Sequence, residues 1–286
     1  MDILNPKLEE RAQRVATRWG LEVETILVSQ KNRLAYKVST PRGPAIFKVY
    51  RDINAAGERS AAAFYKKLPL GIGPELYRAS PLRRAILVEW LHGPNLMSLI
   101  EAGEEGEANA HLSEVIRQLR TAKLRIPFRR LRLADILSQK LKRIYSQSRD
   151  SASVDRLQRI GELLDWLVAS TKTEQVIHGD LHYDNVILTS SGPKLFDPKV
   201  YLADPAAECC KVLFTGQAKM APSQLWEQVT QRAECFASGA GSSPTRLMQW
   251  GAVNFATRVL RSRTAVPETH EALDKLDLLL RHVGAE

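Results

Sequence analysis

His178-Gly179-Asp180-Leu181-His182-Tyr183-Asp184-Asn185, with Phe196-Asp197-Pro198 shortly after it, is the stretch from which the rest of the chain can be read. It has the form H-x-D-x-x-x-x-N, and Asp197 falls twelve residues beyond the Asn. In a chain of this length the eight-residue pattern arises by chance in roughly one case in a hundred, before Asp197 is counted. Transfer of a phosphoryl group from a magnesium nucleotide needs one carboxylate to orient and deprotonate the acceptor hydroxyl and two oxygen ligands to hold the metal against the phosphates. Asp180 and Asn185 lie five apart around one loop and can address opposite sides of a transferring group. Between them and Asp197, Val186-Ile187-Leu188, the turn Ser190-Ser191-Gly192 and Lys194-Leu195-Phe196 spell a hairpin that returns Asp197 beside Asn185.

Upstream, Leu8, Ala12, Val15, Ala16 and Trp19 fall at helical spacing over residues 6–19, with Gly20 as a stop. Three strand patterns follow at 22–29, 33–39 and 44–50, turning at Pro41-Arg42-Gly43, and predict an antiparallel meander. An Ala-rich helix is expected over 54–67, then strands near 75–80 and 84–90. Beyond Leu91-His92-Gly93-Pro94 helical patterns dominate, near 95–101, 108–124, 133–147 and 153–169. After the stretch of loops and short strands at 175–205, helices are expected near 204–216, 222–237, 244–262 and 268–283. The acidic run Glu101 to Glu107 reads as a surface loop. The sum is an α+β chain: a small antiparallel β lobe over residues 1–91 and a larger helical lobe over 92–286 with an inserted catalytic hairpin.

Composition sets the outer limits. The 286 residues are 44% hydrophobic and 26% charged, which excludes a disordered tail or a small disulfide scaffold. No run approaches the roughly 20 apolar residues of a membrane span. Cys209, Cys210 and Cys235 have neither a disulfide framework nor zinc spacing, and a cytoplasmic location is expected. The net charge of +9 is uneven, with 16 basic and 9 acidic residues in 1–90 and 25 and 23 in the remainder. Such a bias points to an anionic ligand. The densest basic segment, Arg117 to Arg143, lacks interleaved aromatics and reads as a solvated helical face, so no nucleic-acid partner is expected.

The run from His178 to Asn185 followed by Phe196-Asp197-Pro198 resembles the catalytic region of the aminoglycoside phosphotransferase-like kinases, and Lys199 to Glu208, with Asp204-Pro205-Ala206, is most similar to the streptomycin and hydroxyurea resistance branch. The resemblance implies a two-lobed protein-kinase-like fold using ATP and Mg2+, with Asp180 as catalytic base, Asn185 and Asp197 as metal ligands, and His178 as a scaffold residue. Kinase chemistry also asks for a lysine on the third strand and a glutamate on the next helix. Ala45-Ile46-Phe47-Lys48-Val49 supplies Lys48, and Glu58 follows ten residues later as its expected ion-pair partner. Ser29-Gln30-Lys31-Asn32-Arg33 occupies the place of the phosphate-covering loop without any glycine, making Ser29 and Asn32 candidate phosphate contacts. By the same resemblance, the backbone of Glu89 and Leu91 faces the adenine edge.

The expected partner is a small hydroxylated acceptor together with the nucleotide. For a polycationic aminoglycoside the candidate carboxylates are Asp184, Asp204, Glu208, the 101–107 run, and Glu268, Glu271, Asp274 and Asp277. Two features depart from that picture: the basic 117–143 segment, and Ala206-Ala207-Glu208-Cys209-Cys210 where the branch has an A-Y-D pattern. Trp250, Asn254, Arg258 and Arg261 share a helix face, which reads first as a solvated surface and otherwise as a pocket wall favouring an anionic or hydroxyl-rich metabolite. Choline, homoserine or fructosamine kinase activity, or a catalytically silent binding protein, are the alternatives to antibiotic modification.

Overall fold

In α1 (Pro6–Trp19) the residues Leu8, Ala12, Val15 and Ala16 are buried on one stripe, as their spacing predicts. Gly20, at φ 66°, ends the helix in the left-handed conformation that glycine adopts without steric cost. The chain, seen in a computed structural model that describes residues 6–51, 58–126, 131–148, 150–216, 220–261 and 267–283, then forms β1 (Glu22–Gln30), β2 (Arg33–Thr40) and β3 (Gly43–Tyr50). These pair as the expected antiparallel meander. After α2 (Glu58–Lys67), β4 (Leu76–Ser80) and β5 (Ala85–Glu89) complete a five-stranded sheet in the order β1-β2-β3-β5-β4.

Strand alternation decides which side chains face the cleft. On β3, Ala45, Phe47 and Val49 belong to the core cluster under α1, together with Leu34, Val38, Ala85 and Leu87. A strand's side chains alternate between faces, so Lys48 points to the opposite side, toward α2 and the helical lobe. On that side Phe64, Tyr65, Ile86 and Val88 join the larger core, which runs without a break into the helical half.

The helical lobe comprises α3 (Met97–Glu101), α4 (Glu105–Ala122), α5 (Leu133–Tyr145) and α6 (Ser151–Ser170), then the inserted strands, then three closing helices. The insert carries β6 (Gln175–Ile177), β7 (Val186–Thr189), β8 (Gly192–Leu195) and β9 (Tyr201–Ala203). β7 and β8 form the predicted hairpin around Ser190-Ser191, and β6 pairs antiparallel with β9. α7 (Pro222–Ala240), α8 (Pro244–Val259) and α9 (Pro267–Val283) close the fold. α8 is buried on nearly every side from Leu247 to Thr257, as befits the central helix of a bundle.

Two expectations need correction. The segment 204–216 is no α-helix but two short 3-10 turns, Pro205–Cys209 and Val212–Phe214. Its residues are buried nearly throughout, Asp204 and Glu208 included, without the 3.6-residue period a helix needs to present one face. The acidic run 101–107 contributes only a brief connection between α3 and α4, and Glu105 already starts the second helix. Residues 54–57 of the expected Ala-rich helix lie outside the described residues.

Candidate active site

The short β6–β9 pair holds both ends of the motif. Asp180 follows β6, Asp197 precedes β9, and the His178 carbonyl accepts from the backbone N–H groups of Lys199 and Val200, each at 2.9 Å. The fully buried His178 ring links the two loops. Its Nδ1 accepts the Asp180 N–H at 3.3 Å, so the ring proton sits on Nε2, which donates to the Phe196 carbonyl at 2.8 Å. Burial pushes the imidazole down to about 4 against the bond to Phe196, so the ring is neutral at physiological pH. It is a brace, as the sequence implied.

Glu208 supports the same loop from below, accepting the N–H of His178 at 2.7 Å and of Gly179 at 3.1 Å. Burial raises its carboxyl to about 7 against these two bonds. Gly179 is required as glycine: its φ is 73°, and a Cβ there would run into the Tyr201 ring. Asp197 and Val200 both take φ 57°, a left-handed conformation that a β-branched residue rarely adopts. Strain thus brackets Pro198-Lys199 and aims the lysine at the loop opposite.

Asp197 is where the two lobes meet. Lys48 Nζ lies 2.5 Å from its Oδ1 and Arg33 Nη1 lies 3.1 Å from its Oδ2. Its backbone N–H donates to the Tyr65 hydroxyl of α2 at 2.9 Å. Burial alone would raise the Asp197 carboxyl, but the Lys48 and Arg33 charges overcome this and hold it near 2. Asn185 sits alongside, since the Phe196 N–H donates to the Asn185 carbonyl at 3.0 Å. The Asn185 side-chain N–H is committed to the Asp180 carbonyl at 2.8 Å, so its amide oxygen is the end left for a cation.

An amide oxygen and an ionised carboxylate are the sparse, hard-oxygen set that magnesium takes when phosphates and water fill the rest of its octahedron. Among the described residues no group of three or more His, Cys, Asp and Glu could hold a metal by itself. Asn185 and Asp197 therefore fit a metal that arrives with a nucleotide.

Asp180 is clasped by two lysines of the helical lobe. Lys199 Nζ lies 2.9 Å from Oδ2, and Lys211, just after the first 3-10 turn, is in contact with Oδ1. Burial, with Lys140 and Arg258 nearby, lowers the Lys211 ammonium to about 8. The loop is anchored by Tyr183, buried under the Arg232 guanidinium and hydrogen-bonded to Asn109.

Of the residues singled out in the sequence, Lys48, Asp180, Asn185 and Asp197 converge. Glu58 starts α2, but its side chain lies outside the described residues, and the partner that Lys48 meets is Asp197. The supposed phosphate loop shrinks to the two-residue turn Lys31-Asn32. Ser29 is paired with Leu34 inside the ladder, and the Asn32 carbonyl accepts the Arg51 N–H. The Glu89 N–H is taken by the Glu75 carbonyl, whereas the Leu91 N–H meets no acceptor among the described residues. Arg33, Tyr65 and Lys211 were missed. Arg33 stood inside the quoted loop, and only its contact across 164 residues of sequence gives it a role.

A family model described as "Aminoglycoside/hydroxyurea antibiotic resistance kinase" matches residues 18–261. No curated protein matches the sequence. Among solved structures, the chain is similar to a thermostable mutant of aminoglycoside phosphotransferase APH(4)-Ia in ternary complex with AMP-PNP and hygromycin B. The two share 16% identity at a TM-score of 0.68, over 94% of this chain and 97% of that one. A choline/ethanolamine kinase family protein from Mesorhizobium loti aligns at 17% identity and a TM-score of 0.67, over 95% and 94% of the chains. The choline kinase LicA from Streptococcus pneumoniae aligns at 13% and 0.64, over 97% and 100%. These likenesses establish a kinase-like fold: a five-stranded antiparallel lobe beside a larger helical one.

Proposed function

The chain belongs to the aminoglycoside/hydroxyurea antibiotic resistance kinase family, a family of small-molecule phosphotransferases, and from that premise we propose an ATP- and magnesium-dependent O-phosphotransferase with Asp180 as its base. The observation that carries this reading is the meeting of Lys48, from the β lobe, with Asp197 of the helical lobe, one peptide link from the residue tied to Asn185. Residues 1–91 are assigned to nucleotide binding and 92–286 to acceptor binding and catalysis. Asn185 and Asp197 hold magnesium, whose charge offsets that of the phosphates. Lys48 and Arg33 offer positive charge to the nucleotide side of Asp197, and the Leu91 N–H is available to the adenine edge. Asp180 orients the acceptor hydroxyl and takes its proton as the oxygen bonds to the γ-phosphorus. The bond from that phosphorus to the β-phosphate oxygen breaks, and ADP leaves. Three free cysteines, two of them buried, accord with a cytoplasmic setting. No helix among the described residues is long and apolar enough to cross a membrane.

Two acceptor classes compete within this chemistry. Aminoglycosides are supported by the family and by the neighbour solved with hygromycin B. Another hydroxylated metabolite is supported by the choline and ethanolamine kinase neighbours, and by the two lysines on Asp180, an unwelcoming arrangement for a polycation. The test is magnesium-dependent ADP release over a panel of aminoglycosides, streptomycin, choline and neutral or acidic polyols. Turnover on one acceptor, abolished by Asp180→Asn, is expected. Protein that neither binds Mg-ATP nor releases ADP on any acceptor contradicts the reading.

A further inference from the structure

Most of the carboxylates that could receive a polycation are already engaged. Asp204, 6% exposed, accepts from Arg246 at 2.7 Å, from Thr171 at 3.1 Å and from the Ala206 N–H at 2.9 Å. Glu208 is committed to the Asp180 loop backbone. Asp277 is held bidentately by Arg156, Glu271 pairs with Lys275, and Glu105 pairs with Arg232. Asp184 is paired with His182 at 3.0 Å, and Asp274 borders a surface hollow with Arg159 and Arg281. The Glu268 side chain lies outside the described residues. The wall that sequence reasoning offered to an aminoglycoside is mostly consumed in holding the fold.

Positive charge takes its place. Lys199 and Lys211 reach Asp180 directly. Lys140 on α5 and Arg258 on α8 are close enough to disfavour the charge on Lys211, and Lys199 and Arg261 act in the same way on Lys140. These groups come from separate pieces of chain that pack together: α8 lies against α5 and against both 3-10 turns flanking Lys211. One carboxylate cannot neutralise five cations. Even with Lys199 given to the transferring phosphoryl group, Lys211, Lys140 and Arg258 remain on the acceptor side. On the same helical stripe as Arg258, at i−4, Asn254 is buried.

We propose that the acceptor site beside Asp180 is an anion site, built to take a hydroxyl-bearing small molecule that also carries a carboxylate or phosphate group, with Lys211, Lys140 and Arg258 binding that group. The proposal rests on the phosphotransferase reading and names its acceptor class. Charge complementarity then works in two ways: it draws Lys211 off Asp180 onto the substrate, freeing the base for the hydroxyl proton, and it repels cationic acceptors. The transfer itself is unchanged, with the acceptor oxygen gaining the phosphoryl group, Asp180 the proton and ADP leaving.

The test uses one scaffold with four charges: glucose, glucosamine, gluconate and glucose 6-phosphate. Each is titrated by calorimetry into the full chain saturated with Mg-ADP, beside streptomycin and choline. Gluconate or glucose 6-phosphate should bind at least about tenfold more tightly than glucose, with glucosamine, streptomycin and choline weakest. Which anion wins separates a carboxylate acceptor from a phosphate one. Lys140→Gln/Arg258→Gln should weaken the anion at least about tenfold while Mg-ATP affinity stays within about twofold; Arg258→Lys should restore part of the loss. Tighter binding of the cations, equal binding of glucose and its acidic forms, or an unchanged anion affinity in the double variant overturns the proposal. Those results leave the kinase reading standing, whereas loss of Mg-ATP binding by the native chain would overturn that reading instead.

Discussion

Asp197 and Asp180 are each gripped by two cations, yet the grips are built differently. The partners of Asp197, Lys48 and Arg33, arrive from β3 and β2 of the other lobe, 149 and 164 residues away in sequence. Those of Asp180, Lys199 and Lys211, come from its own lobe and continue into a wider basic surface through Lys140 and Arg258. The first arrangement joins the two lobes and leaves the carboxylate ionised. The second leaves Asp180 in surplus positive charge, which on the proposed function selects the acceptor. On the proposed function, similar local chemistry would serve metal binding at Asp197 and acceptor selection at Asp180.

The contrast is broken most severely at the base. Asp180→Asn is expected to cut turnover by about a thousandfold, within the range for removal of a general base, while Mg-ATP affinity stays within about twofold. ADP release and nucleotide titration on the same preparation check this. On the other carboxylate, Lys48→Met is expected to lower turnover by about a hundredfold and also stability by about 1–3 kcal/mol, because it removes one partner of a largely buried pair. Urea unfolding compared with an Asp180→Asn control reads the difference.

Gly179→Ala, between β6 and Asp180, should cost about 1–3 kcal/mol, since it forces a left-handed alanine against the Tyr201 ring. A lower melting temperature with unchanged β-lobe protection in hydrogen exchange would confine the damage to the catalytic loop. The smallest effect is acid sensitivity. The Asp197 carboxyl is depressed to about 2 from 3.8, so its pairing contributes fully above about pH 4 and is lost as pH falls through 2. Asp197→Asn should flatten the stability profile in that window, as followed by circular dichroism.

How much could be read in advance depended on whether a signal was local. His178 to Asn185 and the hairpin to Asp197 are spaced by backbone geometry, so the convergence of Asp180, Asn185 and Asp197 was legible, as were all five strands of the β lobe and most helices. Lys48 was legible from its place on the third strand, just before the Ala-rich helix. Arg33 was not, because a contact spanning 164 residues leaves no trace in spacing. The turn at Lys31-Asn32 was overread as a longer phosphate loop, since Ser29 and Arg33 are polar yet sit in paired strands. Residues 204–216 were overread as a helix because burial on every side removes the periodicity that separates a helix from successive turns. The charge of the acceptor side was half visible: the basic helical segment was noted, but Lys140 gains its meaning only where α5 packs beside α8.

The most direct test of the division between the two carboxylates is calorimetric titration of Mg-ATP into the native chain, Asp180→Asn and Asp197→Asn, each checked for folding by its melting curve. We predict unchanged affinity for Asp180→Asn, and for Asp197→Asn an affinity lowered at least about tenfold that no longer responds to magnesium. Equal weakening by both substitutions, or retained magnesium-dependent binding in Asp197→Asn, would contradict the account.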